Sequence, residues 1–200
     1  MKRKDLEMIL QRLDTFQSPR ADLEQYPTPA PIAADLLFQA YASGDIEGKA
    51  VLDLGCGTGI LGIGAKLLGA DKVVGVEVDG KALEQARGNC DRAGVELELL
   101  QMDVSDVQGT YDTVVMNPPF GSQNKHADRP FLEKATECAG CVYTLHMTDT
   151  LDFLAKLISA RGFAIEDQKR FKFDIPHTFA FHRKLRKSFD VSLLCLRKMR

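Results

Sequence analysis

Features that would place this 200-residue chain in a membrane or outside the cell are missing from it. No uninterrupted apolar run approaches the roughly 18–20 residues of a bilayer-crossing helix. The opening MKRKDLEMILQRLD has no apolar stretch of the signal-peptide kind. Disulfide-framework spacing is also missing: the five cysteines (Cys56, Cys90, Cys138, Cys141 and Cys195) are an odd count that suits reduced thiols. A cytoplasmic protein is expected. Cys138-Ala139-Gly140-Cys141 has the spacing of half a zinc site, but no second Cys or His pair completes four ligands, so no metal or redox role is expected. Repeats, low-complexity segments and an interdomain linker are absent. What is present, 44% hydrophobic and 27% charged residues, is enough for one globular domain with its own core.

The net charge of −2 conceals an asymmetry. Residues 169–200 hold ten Lys/Arg against Asp174 and Asp190, a local balance of +8, which leaves −10 on residues 1–168. So basic an ending on an acidic chain fits a polyanion such as nucleic acid, and equally a solvated basic face.

Residues 1–48 read as a helical and proline-rich opening. Leu6, Ile9, Leu10 and Leu13 lie at helical spacing within residues 1–24, so an amphipathic helix is expected there. Pro27, Pro29 and Pro31 then stiffen an extended stretch before a helix over 32–41. Over 49–200, short apolar runs alternate with helical stretches, the pattern of an α/β fold on a mostly parallel sheet. Strands are expected at 50–54, 72–78, 96–102, 113–116, 141–146, 163–173 and 188–196, the last two as an antiparallel ending. Helices are expected at 61–68, 81–93, 131–138 and 148–160, the last capped by Thr148 and Asp149 and stopped by Gly162.

Val51-Leu52-Asp53-Leu54-Gly55-Cys56-Gly57-Thr58-Gly59 puts a buried strand directly before three alternating glycines and a helix. Such a loop brings the backbone close to a ligand and aims helix N–H groups at it. Gly57, Gly59 and Gly62 also satisfy the dinucleotide fingerprint, so glycine spacing alone does not separate a nicotinamide cofactor from S-adenosylmethionine. Glu77 and Asp79 end the second strand, where a carboxylate can grip ribose hydroxyls. Asp53, ending the first strand, can face the positive amino-acid end of S-adenosylmethionine, and Asp103 can accept from an adenine amino group. A helix cap or turn is the plainer role for either aspartate.

The most informative segment follows the fourth strand: Asn117-Pro118-Pro119-Phe120. An adenine or amide nitrogen is a poor nucleophile because its lone pair is delocalised. The Asn117 side-chain oxygen and the Pro118 carbonyl can accept its two N–H bonds and hold the lone pair toward a methyl donor. The prolines stiffen the loop, and the Phe120 ring offers a stacking surface. A sulfonium is already an activated electrophile, so positioning and electrostatics carry most of the rate.

Taken with Leu23-Glu24-Gln25-Tyr26-Pro27-Thr28, Tyr143-Thr144-Leu145-His146 and Phe181-His182-Arg183-Lys184, these motifs resemble the methyltransferase-like protein five family over nearly the whole chain. That family consists of class I S-adenosylmethionine-dependent methyltransferases acting on N6 of an adenine in small-subunit ribosomal RNA. The resemblance implies a Rossmann-like class I methyltransferase fold: a mostly parallel seven-stranded sheet with an antiparallel last strand and helices on both faces. It implies that Asp53, Gly55, Cys56, Gly57 and Gly59 line the methionine side of the cofactor, Glu77 or Asp79 holds the ribose, and Asp103 with Val104 reads the cofactor adenine. Gln25, Tyr26 and Thr28 close that pocket, and Asn117, Pro118, Pro119 and Phe120 hold the target base. An unstacked adenine is the expected substrate, with Phe181, His182, Arg183, Lys184, Arg186 and Lys187 as an RNA-binding set.

Three competing functions share some of these features. A protein glutamine N5-methyltransferase uses the same tetrad with Tyr in its fourth position. A DNA adenine methyltransferase needs a target-recognition domain that is not visible here. A ribosome assembly factor could keep the fold for RNA binding alone. A small zinc-containing activator subunit, implied by eukaryotic relatives, could add a strand at an apolar third-strand edge, 95–100. Residues 122–130 read as a substrate lid or a surface loop, and His146 as a hydrogen-bonded structural residue.

Overall fold

The computed structural model describes residues 1–121, 126–175 and 187–199. Seven strands form one sheet in the order β3-β2-β1-β4-β5-β7-β6. They are β1 (Ala50–Leu54), β2 (Lys72–Glu77), β3 (Glu98–Gln101), β4 (Tyr111–Met116), β5 (Ala139–Met147), β6 (Phe163–Ile175) and β7 (Lys187–Lys198). Every pairing is parallel except those of β7, which runs antiparallel to both neighbours. The expected sheet is therefore present, with its last strand inserted between the two that precede it.

Strand burial follows position. Central β1 is almost wholly buried, as a strand covered on both faces must be, while edge strand β3 is only partly covered. The α-helices among the described residues are α1 (Arg3–Leu10), α2 (Ala30–Ala42), α3 (Ile60–Leu67), α4 (Gly80–Ala93), α5 (Arg129–Cys138) and α6 (Leu151–Ala160). Leu6 and Leu10 of α1, Leu36 and Leu37 of α2 and Leu61 of α3 fill the core on one side of the sheet. Leu132 of α5 with Leu154 and Ile158 of α6 fill the other. Because the chain steps outward from β1 through β2 to β3 and then returns to pair β4 with β1, a crevice opens beyond the C-terminal ends of β1 and β4.

Several boundaries differ from expectation. The first helix stops at Leu10, and residues 11–29 run on as an irregular strap interrupted by a 3-10 turn, Ala21–Leu23. Buried Asn89 on α4 explains why. Its Oδ1 accepts the Asp14 N–H at 2.9 Å, and its Nδ2 donates to the carbonyls of Asp14 and Thr58, each at 2.9 Å. One carboxamide thus binds both main-chain groups of Asp14, as a neighbouring strand would, and fastens the strap to the glycine loop. Thr148 and Asp149 do not cap α6: they lie in a 3-10 turn, and the Thr150 hydroxyl donates to the Met147 carbonyl instead. β3 is the sheet edge, but the edge is less apolar than expected. Leu97 and Leu99 reach inward over Gly62 and Gly75, so the strand offers its main chain.

Beyond the pairing of Met147 with Val191, β6 and β7 continue as a two-stranded ribbon past the end of β5. Phe171 and Phe173 of that ribbon pack into the core shared with α1–α3. Alternation therefore turns Arg170 and Lys172 to the α5/α6 side.

Candidate active site

A cavity of about 550 Å³ occupies the crevice. Its floor is the end of β1 and the glycine loop, its sides are the ends of β2, β3 and β4, and its roof is the strap. Gly55, Gly57 and Gly59 all have positive φ (74°, 53° and 88°), which lets the loop turn sharply enough to lie flat under two rings. A Cβ on Gly55 would stand 2.7 Å from the Phe131 ring of α5, and one on Gly57 would stand 2.8 Å from the Phe16 ring of the strap.

The cavity is acidic. Asp14, Asp22, Glu24, Asp53, Glu77 and Asp103 line it, and its described lining contains no Lys, Arg or His. Asp53 is 1% exposed and accepts the Gly62 N–H at 2.7 Å. Burial pushes its carboxyl up to about 7, and Glu77 nearby adds to the effect against the pull of that N–H group. Glu77 accepts from the N–H groups of Gly57 (3.0 Å), Val78 (2.9 Å) and Asp79 (3.0 Å). Burial still holds its carboxyl above the ordinary range. Two costly carboxylates facing one cavity are set up for a ligand with a cationic end. A dinucleotide pyrophosphate, which the glycine spacing had left open, would meet six acids in this lining, of which Asp14 and Asp22 are paired with described arginines, Arg92 and Arg20.

Of the expected cofactor residues, Gln25, Tyr26, Thr28, Asp53, Gly55, Cys56, Gly57, Glu77, Asp103, Val104 and Asn117 line the cavity. Burial raises the Cys56 thiol well above its usual range, so it is a neutral wall group. Asp103 also caps the following 3-10 turn, its Oδ1 accepting from the Ser105 N–H and hydroxyl. Two expected residues are not in the lining. Gly59 faces α4, where a Cβ would meet Ala86 at 3.3 Å, so it serves helix packing. Asp79 caps α4 through Lys81 N–H and accepts from Gln25 Nε2 at 2.8 Å, latching the strap to the rim while Glu77 faces inward.

The tetrad divides in the same way. Asn117 and Pro119 line the cavity, whereas Pro118 and Phe120 do not. The Phe120 ring sits edge-on to Phe173 of the ribbon, with centroids 5.7 Å apart and planes at 84°. Asn117 Nδ2 donates to Thr28 Oγ1 at 2.9 Å, but its Oδ1 is buried without a hydrogen-bond partner among the described residues. A buried acceptor left unmatched costs about 1–3 kcal/mol, so one aimed at a cavity marks a place for a ligand N–H.

Chain comparison agrees with this geometry. A family model for the methyltransferase small domain matches residues 31–139. The rRNA N(6)-adenosine-methyltransferase METTL5 of Danio rerio is 39% identical over 201 residues, covering 96% of each chain. The chain belongs to the METTL5 branch of the methyltransferase small domain family. The Drosophila melanogaster relative is 40% identical over 207 residues, covering 96% of this chain and 94% of its own. A crystallised candidate RNA methyltransferase of Pyrococcus horikoshii superposes with a TM-score of 0.94 at 42% identity, covering 100% of this chain and 99% of the other. This METTL5-type chain is accordingly an S-adenosylmethionine-dependent methyltransferase with a Rossmann-like fold.

Phe16, Phe131 and Asn89 were not expected in or around the site. Nothing in the local pattern of the sequence marks them, because each acts on the glycine loop from a distant segment. His146 is structural as expected: 1% exposed, with Nδ1 3.1 Å from Asp128 Oδ2 and Nε2 3.0 Å from Thr144 Oγ1. All five cysteines are buried and free, and no metal-binding cluster occurs among the described residues. No described helix is long and apolar enough to cross a membrane. Of the expected RNA-binding set, Phe181, His182, Arg183, Lys184 and Arg186 lie outside the described residues, and Lys187 is the first residue of β7.

Proposed function

We propose that this methyltransferase acts on N6 of an unstacked adenosine in RNA, most specifically small-subunit ribosomal RNA. The observation that carries the reading is the buried Asn117 Oδ1, without a hydrogen-bond partner among the described residues, at the edge of an acidic cavity. In this reading Asn117 Oδ1 and the Pro118 carbonyl accept the two N–H bonds of the target amino group, which directs its lone pair at the incoming methyl. Thr28 holds the Asn117 carboxamide in place. Asp53 takes the ammonium end of the cofactor, Glu77 its ribose hydroxyls, and Asp103 and Val104 its adenine side. The bound cofactor supplies a sulfonium-activated methyl group, and the strap with Phe16 and Phe131 keeps water from it. The reacting nitrogen, cationic once it has taken the methyl group, gives up one proton to solvent as the product leaves, and no protein nucleophile is needed.

The basic ending, Phe181 to Lys187, is the proposed grip on flanking RNA, and a small zinc-containing activator is the proposed strand-adding partner at the β3 main chain. A supporting consideration is the set of relatives named as rRNA N(6)-adenosine-methyltransferases. The test is to incubate the protein and labelled S-adenosylmethionine with unmodified ribosomal RNA, duplex DNA and release-factor protein in parallel, then digest and identify the product. N6-methyladenosine in RNA, reduced about 100- to 1,000-fold by Asn117→Ala, is expected. Label on glutamine or DNA would overturn the substrate assignment.

A further inference from the structure

Phe153 is one of five large apolar side chains left well exposed among the described residues, at 44% of its surface. It stands in the first turn of α6, which follows β5 after the 3-10 turn Thr148–Thr150. The His126 ring lies 4.9 Å from it, centroid to centroid, at 40°. His126 is itself exposed and has a φ of +64°, a conformation that non-glycine side chains seldom adopt.

Both rings are anchored. Two residues after His126, Asp128 occupies the cap position of α5 but makes no capping bond with its side chain, giving its carboxylate to buried His146 instead. His146 belongs to β5, whose Thr144 pairs in register with Met116, the residue before Asn117. The ring pair is therefore fixed, through Asp128 and His146, to the end of β5, which lies beside the end of β4 that carries the tetrad. On that α5/α6 side the ribbon presents Arg170 and Lys172, which make no ion pair among the described residues.

Two exposed rings held at the end of β5, the strand next to the one that leads into the tetrad, and two cations without an ion pair among the described residues on the same side are the components of a single-strand nucleic-acid track, in which rings stack on bases and cations follow phosphates. We propose that Phe153 and His126 form a stacking platform for a nucleobase next to the target adenosine in single-stranded RNA. The proposal rests on the RNA reading above and extends it to residues outside the tetrad and the basic ending. Stacking selects for a π-face rather than a base identity, so the platform accepts any neighbour and favours an unpaired one.

The test is fluorescence anisotropy of a labelled single-stranded RNA of about 15 nucleotides, one adenosine in a uridine tract, titrated with the full chain. Phe153→Ala is expected to weaken binding roughly tenfold, Phe153→Trp to keep it, and a duplex of the same sequence to be indifferent to either change. Thermal melting of both variants shows that they are folded, and cofactor affinity is expected to stay at the wild-type value. Phe153→Ala binding within about twofold of wild type, or a wild type with no affinity for the single strand, overturns the platform. A protein that methylates RNA but whose RNA affinity ignores Phe153 loses the platform alone. One that binds single strands through Phe153 and methylates none keeps the platform and loses the transfer reaction.

Discussion

Cofactor binding by this protein is expected to depend on pH because of one residue, Asp53. In the ligand-free cavity burial lifts its carboxyl to about 7 from an ordinary 3.8. If the cationic end of the cofactor binds the anion, binding below that value must first remove a proton. The ionised fraction then scales affinity by 1/(1 + 10^(7 − pH)), so between pH 5.5 and 7.5 affinity rises roughly 25-fold, about 2 kcal/mol. Stopping near pH 7.5 keeps an α-ammonium largely protonated, since such groups titrate around 7.7–8.0.

Isothermal titration calorimetry with S-adenosylmethionine in buffers of different ionisation enthalpy would report both the affinity and the protons released. Release of about one proton at pH 6 and almost no net exchange at pH 7.5 is expected. Asp53→Asn should weaken binding at pH 7.5 and flatten the profile, leaving only a shallower slope from Glu77, whose carboxyl is also raised by burial. The sign for stability is opposite. A carboxyl raised in the folded state favours folding at low pH, and that contribution is lost as pH climbs from about 4 through about 7. The ligand-free Asp53→Asn protein should therefore gain melting temperature relative to wild type at pH 8 and not at pH 4. A flat affinity profile in the wild type, or an unchanged one in Asp53→Asn, would refute the assignment of Asp53 to the cationic end.

Two further outcomes are expected. Gly57→Ala combines a positive φ of 53° with a Cβ 2.8 Å from the Phe16 ring, so it should cost about 1–3 kcal/mol in denaturant unfolding and weaken the cofactor by displacing the strap. Arg170→Ala/Lys172→Ala should reduce the slope of log affinity for RNA against log salt by about two, while cofactor affinity holds; salt titration of RNA binding checks it.

Local pattern in the sequence was enough for the sheet, the glycine loop and the tetrad, because each is a contiguous run whose spacing carries its own chemistry. It does not tell Gly59 and Asp79, which are not in the cavity lining, from the residues that are, for a related reason. A loop glycine and a strand-end carboxylate look alike whether they face a ligand or a helix, and only Ala86 and Gln25, distant in sequence, decide. Phe120 reads as a stacking surface, and its edge-on contact with Phe173 has no signal in the local pattern. The strap was least legible. Its path is set by Asn89 on α4 and by Phe16 over Gly57, contacts between segments with no pattern in common.

The position of β7 also bears on how the chain is made. β5 and β6 are consecutive strands that do not pair with each other; β5 is held by β4 on one side and β7 on the other, and β6 is held only by β7. While the chain is being synthesised, β1 to β5 can assemble through their crossovers, but β5 then keeps an open apolar edge and β6 has nothing to join. Assembly of this half of the sheet must wait for β7, whose arrival closes both gaps at once. A ribosome that stalls between β6 and β7 would leave a folded but sticky half-sheet, a natural client for chaperones and a point at which premature termination is more harmful than simple loss of the enzyme.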